Sequence, residues 1–368
     1  MFKRYQIRDY DFKLVLLLIA ITIFGILVVG SANESVQSRQ VLGLVLGLVV
    51  LIITSFIDYC FILNFYWLLY FLNIILLLSV RLFGVEVNGA QRWLIIAGIQ
   101  FQPSETAKIL LILFFAAFIM KYKESLNTVR TLGLLIVFFL PPLWLVYDQP
   151  NLSMTLILIA IFSSILFVGG LSYKIVLGVL SVILPSAVIL LVLILQPDSD
   201  IILGYQQNRI LSWLQPEKYA TTEGYQQQNS VTAIGSGMLS GKGLNNNEVS
   251  SVKNGNFISE PQTDFIFTIV GEELGFIGCC AVIILLSLIT IECLLIGRKA
   301  KDLAGTLICT GMASWVGFQT FVNIGVATAL LPTTGLTLPF VSYGLTSLVS
   351  LFMGMGVVLN IGLQSRKY

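Results

Sequence analysis

Long apolar segments alternate with shorter polar ones along most of the chain. A helix that crosses a lipid bilayer needs about 20 mostly apolar residues, with a range near 17–25. Ten apolar segments come near or exceed this length, and they are roughly residues 14–30, 41–57, 61–80, 106–120, 132–147, 153–169, 175–195, 264–296, 303–331 and 340–362. The pattern therefore predicts an all-α polytopic membrane protein, with ten transmembrane helices in a single membrane domain over residues 1–368.

The number of predicted spans and the distribution of basic residues together predict the orientation. Ten spans place both termini on the same side of the membrane. With the N-terminus inside, the cytoplasmic segments contain 13 of the 21 Lys and Arg residues, in agreement with the positive-inside rule. The first apolar run, of 17 residues, exceeds the hydrophobic region of a usual signal peptide, so we expect a retained span.

A long polar segment, residues 196–263, separates predicted spans seven and eight. In the N-in, C-in orientation it is a large extracytoplasmic loop, and residues 81–105 form a second polar stretch on that side. Loops longer than about 15 residues are uncommon unless they are functional or disordered. The hydropathy pattern contains no internal repeat, which argues against a secondary transporter.

Composition narrows the chemistry that the chain can perform. It is 57% hydrophobic and 11% charged, against about 45–50% and 25% in soluble domains. It contains no histidine, which excludes Ser-His-Asp triads, His-ligated metals and His pH switches. A net charge of +2 indicates no nucleic-acid partner, and five cysteines in apolar stretches indicate no disulfide framework. An acid–base catalyst must therefore be Asp, Glu, Lys or Tyr.

Charged side chains at the start of predicted span four form the first candidate site. Glu105 and Lys108 lie three residues apart, on one helical face. A charge at membrane depth costs at least about 2.5–3.5 kcal/mol, so each is a functional candidate. An intrahelical ion pair and an anion-binding role for Lys108 both agree with this spacing and depth. Trp93, slightly upstream, is explained by an interfacial aromatic belt.

Asp264, at the start of predicted span eight, is the second candidate. Thr263 or Asp264 could cap the helix. Alternatively, Asp264 is a general base, because its apolar neighbours would raise its pKa against the effect of the helix N-terminus. Glu272 and Glu273 should lie about 12–14 Å deeper, at 1.5 Å per residue. They fit a proton path and a pair of buried hydrogen-bonding groups equally well.

Two glycine-containing motifs complete the set. Residues 235–243 resemble a P-loop, but Ser236 stands where that motif needs Gly, and Gly243 follows the Lys where Ser or Thr is needed. A flexible turn is the simpler interpretation, although a nest of backbone amides beside Lys242 could bind a diphosphate. Leu331–Gly344 contains Pro and Gly at the end of an apolar run and predicts a turn between the last two spans.

The order and spacing of these motifs resemble the SEDS family (shape, elongation, division and sporulation), which includes RodA, FtsW and SpoVE. In chain order the motifs are Gly89–Trp93, Pro103–Lys108, Ala233–Gly243, Gln262–Gly275 and Leu331–Gly344. Each motif is weak alone, but their joint order over essentially the whole chain is specific.

The resemblance implies a peptidoglycan glycosyltransferase for cell elongation, division or sporulation. Such an enzyme polymerises lipid II into glycan strands at the outer face of the bacterial cytoplasmic membrane and releases undecaprenyl diphosphate. It works with a class B penicillin-binding protein, the crosslinking transpeptidase. By this resemblance Asp264 is the catalytic aspartate, which deprotonates the acceptor sugar hydroxyl. Trp93, Glu105 and Lys108 line the central cavity, and Arg39 belongs to an Arg-Gln pair that opens span two.

A diphosphate leaving group needs cations to stabilise its charge. The candidates on the predicted outer side are Arg39, Arg92, Lys108, Arg209 and Lys242. A divalent cation, Mg²⁺ or Mn²⁺, could share that charge, but the sequence contains no dedicated set of metal ligands and indicates no certain cofactor.

Two alternatives stay open beside the enzyme. The many spans, with Glu272 and Glu273, also fit a flippase for lipid-linked cell-wall precursors. Asn151 stands where the family has Asp, and Leu345 where it has Gly. These departures fit a non-catalytic scaffold for a penicillin-binding protein.

Overall fold

The computed structural model describes residues 10–364 except 88–89, 97, 150, 195–203, 223, 246–250, 253 and 256. Within these ranges the chain is mainly helical. Its helices are α1 Phe12–Ala32, α2 Glu34–Phe56, α3 Tyr59–Asn64, α4 Tyr66–Phe83, α5 Pro103–Lys121, α6 Val129–Asp148, α7 Leu152–Val168, α8 Tyr173–Ile194, α9 Gly204–Leu214, α10 Tyr225–Ser236, α11 Ile266–Arg298, α12 Leu303–Ala327 and α13 Leu345–Leu363.

Eight of these described helices are long and apolar enough to cross a membrane, namely α1, α2, α4, α5, α6, α11, α12 and α13. Each coincides with a predicted span. The remaining two predicted spans coincide with α7, which has 17 residues, and with α8. The protein is therefore a multi-pass membrane protein, while the count of ten spans and the N-in, C-in orientation stay predictions.

A small β-sheet between α4 and α5 corrects the expectation of an all-α chain. Strands β1 Val85–Val87, β2 Ala90–Ile96 and β3 Ile99–Phe101 pair antiparallel in the order β1-β2-β3. The segment reads as a polar stretch in a hydropathy profile. Its strand character comes instead from Val and Ile, which favour the extended backbone.

Helix α5 forms the centre of the bundle. Nearly all of its side chains from Ala107 to Ile119 are buried, and it packs against α4, α7, α12 and α13. A helix that is apolar on all sides is the type expected inside a large bundle. The polar residues of its first turn are consequently held inside protein at one end of the molecule.

Helices α9 and α10 lie in the predicted extracytoplasmic loop, and α10 closes the end of α12. The last carbonyls of a helix have no partner within it. The side-chain amide of Gln227 donates to the carbonyls of Val326 (2.9 Å) and Leu331 (2.7 Å). The Ser230 hydroxyl donates to the carbonyl of Ala327 at 2.7 Å. The loop is thereby fastened to the bundle.

Helix α11 is broken at Gly275, where φ is 63° and ψ is −160°. We call its first part, Ile266–Leu274, the short arm. Glu273 accepts hydrogen bonds from the hydroxyl of Ser31, in the last turn of α1, at 2.7 and 2.6 Å. Glu273 therefore lies level with the end of α1. The depth expected for Glu272 and Glu273 in the membrane stays a prediction, since the break at Gly275 lies beyond both residues.

Candidate active site

Asp264 lies in the turn that leads into α11, just outside the helix. The backbone of Glu260 has a φ of 49°, and its carbonyl accepts from both the amide (3.1 Å) and the hydroxyl of Thr263 (2.8 Å). The N-cap residue of α11 is Phe265, with no side-chain cap. Neither Thr263 nor Asp264 caps the helix, so the carboxylate of Asp264 is not engaged in the structural role considered from the sequence.

The turn that carries Asp264 is pinned to the segment between α12 and α13. The Ser342 hydroxyl donates to the carbonyl of Thr263 at 2.6 Å, and the amide of Asn323 donates to the backbone carbonyl of Asp264 at 2.8 Å. The side chain of Gln40, on α2, donates to the carbonyl of Ser342 at 3.0 Å. Three parts of the fold, namely α2, α12 and the segment between α12 and α13, thus hold the turn that carries Asp264.

Gly335 lets the same segment approach the carboxylate. Its φ is +76°, a conformation that residues with a Cβ rarely adopt. A Cβ at this position would lie 3.3 Å from Oδ2 of Asp264. The backbone of the segment therefore forms one wall of the site.

Two guanidinium groups face Asp264 from different elements. Arg92, on β2, donates from Nε to the carbonyl of Gln149 at 3.0 Å. Arg209, on α9, donates from Nη1 to the carbonyl of Thr334 at 3.4 Å. Both act electrostatically on Asp264, so the site places two cations near this carboxylate.

Burial sets the acidity of this carboxylate. It raises the pKa of Asp264 to about 6, against the lowering effects of Arg209 and Arg92, while Glu260 contributes a further rise. A catalytic base works best when its pKa is near the working pH. The carboxylate can therefore be largely ionised at neutral pH and still take up a proton.

Glu105 and Lys108 form the predicted ion pair, at 2.9 Å, and both are buried. Lys108 also donates to Oε1 of Gln319 at 3.0 Å and lies 4.3 Å from the centre of the Trp315 ring. The side-chain amide of Gln319 donates in turn to the carbonyl of Thr337 at 2.9 Å. The pair thus supports the segment that contacts Asp264, and it is enclosed by protein.

The other predicted site residues lie in varied positions. Trp93 is partly buried on β2, opposite Val85 of β1. Arg39 is exposed on α2. Its neighbour Gln40, rather than Arg39, contacts the site, through its hydrogen bond to the carbonyl of Ser342. Lys242 binds Glu272, with Nζ 2.9 Å from Oε1. It lies about two helical turns along the short arm from Asp264.

Sequence reasoning named Arg92 among the candidate cations for the diphosphate, but it gave Gln40, Asn323 and Ser342 no role in holding Asp264. Asn323 had a signal, since an amide in an apolar span is energetically costly. Gln40 and Ser342 belonged to motifs, but the hydrogen bonds that connect them to the site join distant parts of the chain.

The positions that depart from the family pattern have structural roles. The side chain of Asn151 accepts from the amide of Met154 at 3.2 Å and caps α7, which Asp would do equally well. Leu345 is the first residue of α13. Gly89, the first residue of one motif, lies outside the described residues. Among those described, no three Cys, Asp or Glu side chains cluster as metal ligands.

The fold and the site define a multi-pass membrane protein with a carboxylate and two guanidinium groups at one end of its bundle. Residues 10–367 match the FtsW/RodA/SpoVE family of cell cycle proteins. The chain belongs to this family.

Named relatives and solved structures agree with the family. The peptidoglycan glycosyltransferase MrdB of Escherichia coli K12 is 33% identical over 354 residues, which cover 95% of this chain and 93% of MrdB. A probable peptidoglycan glycosyltransferase FtsW of Taylorella equigenitalis is 35% identical over 77% of this chain and 75% of its own. A chain of a peptidoglycan synthase complex that coordinates polymerization and crosslinking superposes with a TM-score of 0.77, 29% identity and coverage of 96% and 97%. The rod shape determining protein RodA of Thermus thermophilus superposes with a TM-score of 0.70, with 27% identity and 98% coverage of both chains.

Proposed function

We propose that this protein is a peptidoglycan glycosyltransferase that polymerises lipid II at the outer face of the bacterial cytoplasmic membrane. The observation that carries the proposal is the carboxylate of Asp264, on a turn fixed by Asn323 and Ser342 and under the electrostatic influence of the cations Arg92 and Arg209. Relatives named for this activity, over nearly the full chain, support it.

The chemistry follows from the three side chains. Asp264 takes the proton of the acceptor sugar hydroxyl, whose oxygen attacks the anomeric carbon of the donor. The bond between that carbon and the diphosphate oxygen breaks, and undecaprenyl diphosphate leaves with the bonding electrons. A positioned general base contributes about 10²–10⁴-fold to such a step.

The two guanidinium groups bind the diphosphate in this proposal. Charge develops on the leaving oxygen as the glycosidic bond forms, and preorganised cations in a site with little water stabilise it more than water does. Both Arg92 and Arg209 are held by backbone carbonyls, which restricts their motion. A divalent cation, if the substrate brings one, adds to the same charge stabilisation.

The remaining assignments are part of the proposal. Trp93 and Arg39 contact the lipid-linked substrate, and Glu105 with Lys108 shapes the wall of its cavity. The N-in, C-in orientation exposes Asp264 on the extracytoplasmic side. A class B penicillin-binding protein crosslinks the product, in keeping with the complex in which a structural relative occurs.

The experiment that tests the proposal is polymerisation of fluorescent lipid II by the purified protein, read on a gel. We expect Asp264→Asn to lose polymer by at least about a hundredfold, because the amide cannot accept the proton. Arg81→Met, which breaks only an exposed ion pair to Asp148, is the matched control and should keep full activity. Normal polymer from Asp264→Asn would refute the base assignment.

The flippase has no specific observation in its favour. It rested on the many spans and on Glu272 and Glu273, and these two carboxylates are engaged by Lys242 and Ser31. Lipid II presented only on the outer leaflet of a liposome separates the two functions. Polymer formed there requires no transport.

A further inference from the structure

The break in α11 is filled by a distant segment of the chain. Residues 237–243, which follow α10, take the place of the missing helical hydrogen bonds. The amides of Lys242 and Gly243 donate to the carbonyls of Glu272 (3.0 Å) and Glu273 (2.9 Å). Beyond the break, the amide of Phe276 donates to a carbonyl of the segment at 2.9 Å. Unpaired groups at a helix end need such partners.

Glycines make this close insertion feasible. Gly241 has a φ of +78°, and a Cβ there would lie 2.2 Å from the carbonyl oxygen of Glu273. A Cβ at Gly237 would lie 1.9 Å from the carbonyl oxygen of Gly271. Any side chain at either position would push the segment away from the short arm.

Two buried carboxylates then fasten the short arm on both sides. Glu272 binds Nζ of Lys242 at 2.9 Å and accepts from the amide of Val252 at 3.0 Å. Glu273 accepts from the hydroxyl of Ser31, on α1. Each carboxylate is only 2% exposed. The arm is therefore held by the loop and by the bundle together.

The opposite end of the short arm leads into the turn that carries Asp264. Ten residues separate Asp264 from Leu274, which is about 15 Å at 1.5 Å per residue. A tilt of about 5° at the break would move the Asp264 end by roughly 1.3 Å over this length. A misplacement of about 1 Å can cost about a hundredfold in rate.

We propose that Lys242 and Glu272 are positioning residues, which fix the short arm so that Asp264 faces Arg92 and Arg209. This inference rests on the proposed function. It gives Lys242 a different task from the substrate binding expected from the sequence, since its ammonium group is used within the protein.

The main variant is the double substitution Lys242→Met/Glu272→Gln, which removes the ion pair without changing the net charge. We expect kcat for lipid II polymerisation to fall about tenfold to a hundredfold, with KM changed less than about twofold. Lys242→Arg keeps the ion pair and should retain activity. Arg81→Met, at the exposed pair with Asp148, is the control for loss of an ion pair elsewhere.

The pH profile separates positioning from general loss of structure. The charged groups that face Asp264 are Arg92, Arg209 and the preceding Glu260. If the tilt carries Asp264 away from the two guanidinium groups, the acid limb of activity moves to higher pH. A fall in kcat with an unmoved acid limb would overturn the inference.

Further outcomes are equally decisive. Activity of the double variant within about twofold of wild type would overturn the inference alone, whereas no polymer from wild type would overturn the proposed function and this inference with it. If the double variant does not accumulate in membranes, Ser31→Ala makes a smaller change at the other side of the short arm. It should lower kcat and shift the acid limb in the same direction, and an unchanged kcat would count against the inference.

Discussion

The pH dependence of polymerisation gives the sharpest test of the site. Only the carboxylate form of Asp264 can accept a proton. With a pKa of about 6, about 90% of the molecules carry the carboxylate at pH 7 and about 9% at pH 5. We therefore expect kcat/KM to fall nearly tenfold between these two pH values, with a midpoint near pH 6.

Substitution of Arg209 should move this midpoint in a defined direction. The guanidinium of Arg209 is the strongest influence that lowers the pKa of Asp264. Its removal in Arg209→Gln therefore raises that pKa, and the acid limb moves upward by about one pH unit. The plateau at high pH should also fall about tenfold to a hundredfold, because a cation for the leaving group is lost.

The assay is the initial rate of polymer formation from fluorescent lipid II at limiting substrate, from about pH 4.5 to about pH 8. Arg209→Lys keeps a positive charge and should leave the midpoint close to that of wild type. A flat wild-type profile over this range would refute the role of Asp264 as the base. A midpoint that moves downward in Arg209→Gln would refute the electrostatic account.

Two further predictions concern the walls of the site. Gly335→Ala should lower kcat at least about tenfold without loss of membrane expression. The reason is that φ is +76° and that the added Cβ would lie 3.3 Å from the Asp264 carboxylate. Unchanged kinetics would show that the segment does not form a wall of the site. Lys108→Met should destabilise the protein in detergent by about 3–5 kcal/mol, because it leaves Glu105 buried without its cation. Thermal unfolding measures this loss of stability. The double variant Lys108→Met/Glu105→Gln should recover most of the lost stability. A double variant as unstable as the single one would contradict the reasoning.

Hydropathy alone predicts the spans because the bilayer imposes a local requirement. A helix must carry about 20 apolar residues wherever it crosses, whatever its neighbours are. Each of the eight long apolar helices therefore lies on a predicted segment. Hydropathy did not predict the strands between α4 and α5, since short strands have no comparable length requirement.

The sequence by itself also indicated which carboxylate is the candidate base. In a chain without histidine, Asp264 is an acid in a recognisable motif beside the largest loop, and the ion pair of Glu105 with Lys108 follows from their spacing alone. Residue types and short spacings are local properties, so they can be read without a fold.

Only the tertiary structure decided what surrounds Asp264 and what holds it there. Arg92 and Arg209 lie more than a hundred residues apart in the sequence, yet both face the same carboxylate. The break at Gly275 and the insertion of residues 237–243 likewise depend on hydrogen bonds between distant segments. No local pattern encodes such contacts, because they form only when packing of the bundle brings the segments together. The sequence indicated the candidate base, and the packing determined its surroundings and its position.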